Sequence, residues 1–277
     1  MQPVIILGAP RSGTNMLRDA VTSFKQCDTW PCDEINFIWR YKNANHPSDE
    51  LQLTDLTLDI RQYIRKKFAH RQIETGADLI VEKTCANCLR VPFVDEIFPD
   101  ARYLYIKRDP RDAIASALFR WVAPFELFYT LKKLRYVPVS EMPVYIQRFF
   151  YYRAYSFFNT KNRLKSWGPR YHNIDVDLND RELVEVVAKQ WLECVSSVES
   201  ALNSICCDRK LVIEYEDFVK DPQKELGRVC NFLDISYVES DIDVICKLIV
   251  SNNVGKYKLS VSQNDLVKIN DILEAKG

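Results

Sequence analysis

The sequence predicts an α/β fold, a three-layer sandwich with a mostly parallel central sheet, a P-loop-like loop after the first strand and an added helical segment. Three observations predict it. Pro3–Leu7, Asp78–Glu82, Arg102–Ile106 and Lys210–Glu214 are short runs rich in Val, Ile and Leu, the pattern of strands buried on both faces. Each is followed, directly or after a short loop, by a stretch with helical spacing, and that alternation implies crossovers over a parallel sheet. The first junction, Gly8-Ala-Pro-Arg-Ser-Gly-Thr-Asn15, is a glycine-bounded loop leading from strand into helix.

The elements follow in order. Asn15–Phe24 places Met16, Leu17, Ala20, Val21 and Phe24 on one helical face. Residues 49–72 read as a helix whose basic second half (Arg61, Arg65, Lys66, Lys67, His70, Arg71) is a solvated face. Asn87–Phe98 is expected to be helical despite Pro92. Asp109–Leu118 opens with Pro110, a residue suited to the first helical turn. Residues 119–172 are dense in aromatic and basic side chains and read as two or three helices, with loops around 136–142 and 166–180. Within them Phe149, Phe150, Tyr152 and Phe157 are expected in the core. Glu182–Ser204 is a strongly amphipathic helix, and Asp221–Leu233 is another with Pro222 near its start. Residues 238–275 read as a helix, a loop at 251–261 and a final helix. No repeat or low-complexity tract interrupts the chain. One domain over 1–277 is expected, with 119–180 as an insertion-like segment.

Composition narrows the function. The 277 residues are 47% hydrophobic and 27% charged, as in ordinary globular proteins. Lys plus Arg and Asp plus Glu both number 38, so the formal charge is zero and general binding of polyanions such as nucleic acid is not expected. No apolar run reaches the ~20 residues of a membrane span, and the N-terminus lacks the basic start of a signal peptide. A soluble, cytoplasmic chain is the expectation. Nine cysteines, among them Cys85-Ala-Asn-Cys88, fit reduced core residues. A zinc site from Cys27, Cys32, Cys85 and Cys88 or a Cys85–Cys88 redox pair is conceivable, but the first spacing is loose and no histidine sits nearby.

The first loop suits an anion. Backbone N–H groups of the loop and first helical turn converge there, and the helix dipole adds positive potential. Gly13 lets the backbone come close, Pro10 shapes the turn, Ser12 and Thr14 offer hydroxyls, and Arg11 can fork onto an oxygen. A Walker A motif would need Lys at 14 and Ser or Thr at 15, and Thr14 and Asn15 stand there instead. The cation must come from Arg11, and a metal-bridged triphosphate is disfavoured. A second basic signature, Lys107-Arg-Asp-Pro-Arg-Asp112, follows the strand at 102–106. Arg108 at the strand's carboxyl end and Ser116 on the next helix can close on a second phosphate. Arg111 and Asp112 read as a local cap or ion pair.

Together the two signatures resemble those of the sulfotransferases that use 3′-phosphoadenosine 5′-phosphosulfate (PAPS). In that family PRSGT holds the 5′-phosphosulfate and RDPRDxxxS holds the 3′-phosphate, and both stand here nearly intact. Val81-Glu-Lys-Thr84 is similar to the family's lysine-bearing strand end. Leu211–Pro222 is similar to its YEDL…DP segment, which implies Tyr215 near the adenine, and Val254–Lys258 to its late basic loop, which implies Lys256 and Lys258 over the nucleotide. The resemblance is closest to bacterial, carbohydrate and tyrosylprotein-type members. It covers residues 3–118 and 185–272.

What the resemblance implies is sulfuryl transfer from PAPS, leaving 3′,5′-adenosine bisphosphate (PAP), with no metal required. Such transfer needs a base, in-line geometry and positive charge along the leaving bond. Arg11 and Lys83 are the candidate cations. Glu34, in Trp30-Pro-Cys-Asp-Glu-Ile-Asn36, is the candidate base by similarity to the segment carrying a catalytic glutamate, with Asp33 as the alternative. A histidine base, from His46, His70 or His172, is a further alternative. The basic and aromatic middle (Arg120, Trp121, Lys132, Lys133, Arg135, Arg153, Lys161, Arg163, Lys165, Trp167, Arg170) suggests a saccharide acceptor, with a phenol, tyrosine or lipid hydroxyl also open. A nucleotide kinase or NTPase and a non-catalytic nucleotide-binding protein remain the competing classes.

Overall fold

The computed structural model of the chain describes residues 2–123, 137–158, 164–247, 249 and 253–275. Five strands form the sheet: β1 Val4–Leu7, β2 Cys27–Asp28, β3 Leu79–Lys83, β4 Arg102–Lys107 and β5 Lys210–Glu214. Their order is β2-β3-β1-β4-β5, and every pairing is parallel. The apolar runs become strands within a residue of their expected ends. β2 escaped expectation because two residues are too few to display a period; its pairing with Leu79 and Ile80 creates it.

Strand side chains alternate between two cores. Val4, Ile6, Val81, Leu104, Ile106 and Ile213 face α1 (Thr14–Val21) and the helices at Tyr215–Lys220, Pro222–Leu233 and Glu239–Cys246. Ile5, Leu7, Ile80, Tyr103 and Tyr105 lie in the core shared with α2 (Asn36–Trp39), α3 (Leu58–Thr75), α4 (Val91–Ile97), α5 (Pro110–Trp121) and the helix Leu183–Leu202. This is the three-layer arrangement expected, and it leaves the carboxyl ends of β1, β3 and β4 on one edge, where open α/β sheets bind ligands.

Several boundaries differ from expectation, each for a tertiary reason. The helix expected from residue 49 begins at Leu58, capped by the Thr57 hydroxyl. Asp49 is instead drawn into the interior by Arg40, 2.8 Å away, and only a 3-10 turn at Leu53–Asp55 precedes the helix. On α3 the basic residues are more engaged than a solvated face implies: Arg71 pairs with Asp28 and Glu74, and Arg61 with Glu96. Residues 85–90 form a 3-10 turn before α4, because Pro92 belongs in a first helical turn, not inside a helix. Ile174–Asp180 is a helix where a loop was expected. In the helix Met142–Phe158, Phe150 is exposed rather than in the core, and Phe149 touches its ring edge-on. Lys132, Lys133, Arg135, Lys161 and Arg163 lie outside the described residues, as do the side chains of Tyr152, Arg153 and Phe157.

Candidate active site

The loop after β1 is built by close approach. A Cβ on Gly8 would sit 2.7 Å from the Thr14 methyl and 2.9 Å from the Ile106 carbonyl. Gly13 has φ +94°, and a Cβ there would stand 2.5 Å from the Tyr215 ring. Arg11 adopts φ 70°, a left-handed conformation that non-glycine residues rarely take. The turn that results closes with the Ser12 N–H donating to the Ala9 carbonyl at 3.1 Å. Gly13 is the N-cap of α1, no side chain caps that end, and no carboxylate stands in the first turn. The amides of Thr14, Asn15 and Met16 therefore have no helical acceptor and face outward along the positive end of the helix dipole.

β3 delivers the next group. Alternation puts Val81 and Lys83 on one face and Ile80 and Glu82 on the other. Lys83 is 3% exposed, and its ammonium reaches Asp33 at 3.0 Å and Glu34 at 3.1 Å. Burial disfavours its charge, yet Glu34 and Asp33 outweigh that and hold its pKa above the ordinary lysine value. Asp33 also takes Arg18 at 2.8 Å; burial opposes its charge, but Lys83 and Arg18 hold the carboxyl well below the usual range. Glu34 accepts a second bond from the Cys85 N–H at 3.3 Å. One lysine thus sits between two carboxylates, and Glu34 faces the cleft with its charge compensated.

The loop after β4 works differently. Arg108 donates to the Arg11 carbonyl at 2.8 Å and to the Asn253 carbonyl at 2.6 Å. Its guanidinium lies 4.4 Å from the centre of the Tyr215 ring. The side chain is 8% exposed, and its Nε is buried with no hydrogen-bond partner. Arg11 in turn donates through Nε to the Ser116 hydroxyl at 2.9 Å. Burial first, then Arg120 and Arg108, hold the Arg11 guanidinium below the ordinary arginine value.

These groups line one cleft of about 860 Å³, with Arg11, Thr14, Glu34, Lys83, Arg108 and Tyr215 on its walls. Residues 3–156, more than half of the chain, match the model of a family described as the sulfotransferase family. This chain belongs to that family. Among solved structures it is similar to the sulfotransferase domain from the curacin biosynthetic pathway: 16% identity, 99% of this chain and 97% of that one, TM-score 0.56. Sulfotransferase STF9 from Mycobacterium avium aligns at 12% identity over 99% of this chain and 76% of that one, TM-score 0.55. Mouse sulfotransferase SULT7A1, solved with PAP, aligns at 16% identity over 99% and 84%, TM-score 0.50. Identities this low speak to the shared fold. No curated protein matches the sequence.

In this sulfotransferase most of the expected site comes together. Pro10, Arg11, Gly13, Thr14, Asn15, Glu34, Lys83, Arg108 and Tyr215 border the cleft, Ser12 is buried within the turn, and Ser116 meets Arg11. Lys256 and Lys258 do not join them. Lys256 turns to Asn253 at 2.7 Å, and Lys258 is exposed on the short helix Tyr257–Ser260. The cause is Asp112, whose carboxylate accepts the N–H groups of Gly255 at 2.6 Å and Tyr257 at 2.9 Å. That fixes the late segment by its backbone and presents Asn253 to the cleft. Asp112 is therefore not the partner of Arg111, which pairs with Asp109 at 2.6 Å.

None of the three histidines borders the cleft. All nine cysteines are free thiols, and no cluster of metal-ligating side chains occurs among the described residues. Cys88 accepts the Gly8 N–H at 3.2 Å, and burial pushes the Cys85 thiol up. Of the aromatic and basic middle, Arg120 and Trp167 reach the cleft, whereas Arg170 pairs with Asp175. Arg18, the second cation on Asp33, left no mark in the sequence, because only the fold brings it across from α1. No helix among the described residues is long and apolar enough to cross a membrane.

Proposed function

We propose that this protein transfers the sulfuryl group of PAPS to the hydroxyl of a carbohydrate, releasing PAP. The observation that supports the reading is the direct bond from Arg108 to the Arg11 carbonyl, because it joins the two basic junctions that line one cleft. The uncapped start of α1 and Arg11 hold the 5′ end. Arg108, at the carboxyl end of β4 and lining the cleft, receives the 3′-phosphate. Ionised Glu34 takes the proton from the acceptor hydroxyl as its oxygen attacks sulfur in line. Lys83 and Arg11 neutralise the charge that grows on the phosphate as its bond to sulfur breaks. Trp167 and Arg120, on the same cleft wall, favour a saccharide: an indole face stacks on a sugar ring, and a guanidinium pairs with an acidic substituent.

The test is binding first and transfer second. PAP is expected to raise the melting temperature well beyond AMP or ATP, since ligand held only by the folded state stabilises it by mass action. Equal shifts from AMP would remove the 3′ grip. Labelled-sulfate transfer is then screened over glycans, phenols and lipids, and turnover confined to phenols or lipids would overturn the carbohydrate reading.

A further inference from the structure

Behind the Lys83 clamp lies a buried polar chain that touches no part of the cleft's cations. The Thr84 side chain is fully buried. Its hydroxyl donates to the Glu82 carboxylate at 2.5 Å and accepts the backbone N–H of Ile35 at 3.2 Å. The other oxygen of Glu82 takes Asn87 at 2.8 Å. Asn87 accepts from Arg90 at 2.9 Å, and Arg90 donates to the Asn36 side chain at 2.6 Å. Ile35 and Asn36 directly follow Glu34. The residue directly after the candidate base is thus tied through Thr84 to the buried carboxylate of Glu82, and the next, Asn36, is held between Arg90 and the buried Asp49. Residues 29–35 have neither helix nor strand of their own, and the Glu34 side chain is held through a single oxygen, by Lys83 and the Cys85 N–H. Burying a glutamate this deeply is costly, and burial pushes its pKa up to about 7 against the hydrogen bond from Thr84. A solely structural site would be served as well by an apolar side chain.

We infer that Thr84, oriented by Glu82, is a positioning residue that aims the Glu34 carboxylate at the acceptor hydroxyl. The inference rests on Glu34 being the base. A hydroxyl suits position 84 because the side chain must donate to a carboxylate and accept from an amide through one and the same atom, close to the backbone. Loss of that link loosens the backbone beside Glu34, whose carboxylate is then left to pivot about the one oxygen that Lys83 and the Cys85 N–H hold. Displacement of a base by about 1 Å costs about 100-fold in rate while leaving the remote donor contacts intact.

The experiment measures kcat and KM for PAPS, and PAP affinity, in Glu34→Gln, Thr84→Val and Thr84→Ser. Thr84→Val is expected to lower kcat by about 10- to 100-fold with PAP affinity and donor KM kept, and Thr84→Ser to restore most of the rate. Full rate in Thr84→Val overturns the inference. So does a parallel loss of PAP affinity, which would mark a general structural role. Should Thr84→Val not fold, Glu82→Gln carries the same expectations, because its amide cannot accept from both Thr84 and Asn87. If Glu34→Gln keeps full turnover, the base assignment itself fails. If Glu34→Gln is inactive and Thr84→Val is not, only the positioning role fails.

Discussion

The two strand-to-helix junctions that border the cleft have the same topology and opposite chemistry. After β1 the helix α1 begins on Gly13, with no side-chain cap and no acidic residue in its first turn. After β4 the helix α5 begins on Asp109, which accepts the Arg111 N–H at 2.9 Å, and Asp112 follows in the first turn. The first junction leaves its backbone donors to a ligand. The second satisfies its own helix with carboxylates and offers a side chain, Arg108, instead. An anion at the first meets a dipole and amides fixed in space; at the second it meets one guanidinium oriented by two carbonyls and a tyrosine ring. On the proposed function both are anion grips, one made by omission of a cap and the other by addition of a cation.

The largest way to separate the chemistry of the cleft from its grips is Lys83→Met. It is expected to cut turnover by about 100- to 1,000-fold, the usual cost of removing one preorganised charge donor, with PAP still raising the melting temperature. Loss of PAP binding in that variant would place Lys83 among the grips. Next, Arg108→Ala is expected to abolish most of the preference for PAP over AMP, about 10- to 100-fold by calorimetry, the worth of a charge-assisted bond. AMP affinity stays near that of the parent protein. A variant that weakens both ligands equally would show that the two junctions do not divide their labour.

Gly13→Ala tests the first junction from the other side. The new methyl meets the Tyr215 ring and a left-handed backbone, so stability is expected to fall by about 1–3 kcal/mol by denaturant unfolding, together with PAP affinity. Asp109→Ala is milder. Loss of an N-cap costs about 1 kcal/mol, and PAP affinity is expected to hold, because the second junction's helix start takes no part in binding. A marked loss of affinity would contradict the contrast drawn above.

The smallest effect is in the pH dependence of stability. The raised Lys83 contributes stability that is complete below the ordinary lysine value of 10.5 and is lost as pH climbs through its folded value. The lowered Asp33 contributes above the ordinary 3.8 and fades as pH falls toward its folded value. The clamp is thus whole from about pH 4 to pH 10, and thermal unfolding followed across pH should show Asp33→Asn flattening the acid limb and, because Asp33 is one of the two carboxylates that raise Lys83, weakening the alkaline limb as well.

Legibility in the sequence followed the range of the interactions. β1, its loop and β5 were readable because their signals are local: an apolar run, glycines at fixed offsets, a five-residue KLVIE. Glu34 and Lys83 were readable as chemistry but not as partners, and nothing local announced that Asp33 would share the same ammonium while held by Arg18. The start of α3 was misplaced because Asp49 answers to Arg40 and Arg90, not to its helical neighbours. Lys256 and Lys258 were expected over the nucleotide by resemblance to the family's late basic loop, yet a carboxylate from a helix 143 residues earlier in the chain decides where their backbone goes.

Tyr215 touches both junctions at once. Its ring fills the space a side chain at 13 would need and lies flat beneath Arg108. A phenol has no length to give, so it acts as a gauge block between the jaws of a caliper. The opening is set before anything enters, and a molecule one bond too short or too long engages one jaw and misses the other. Selectivity for a bis-phosphorylated nucleoside then comes from rigidity of spacing more than from the strength of either contact, and trimming the block in Tyr215→Ala should blur the measure before it weakens the hold.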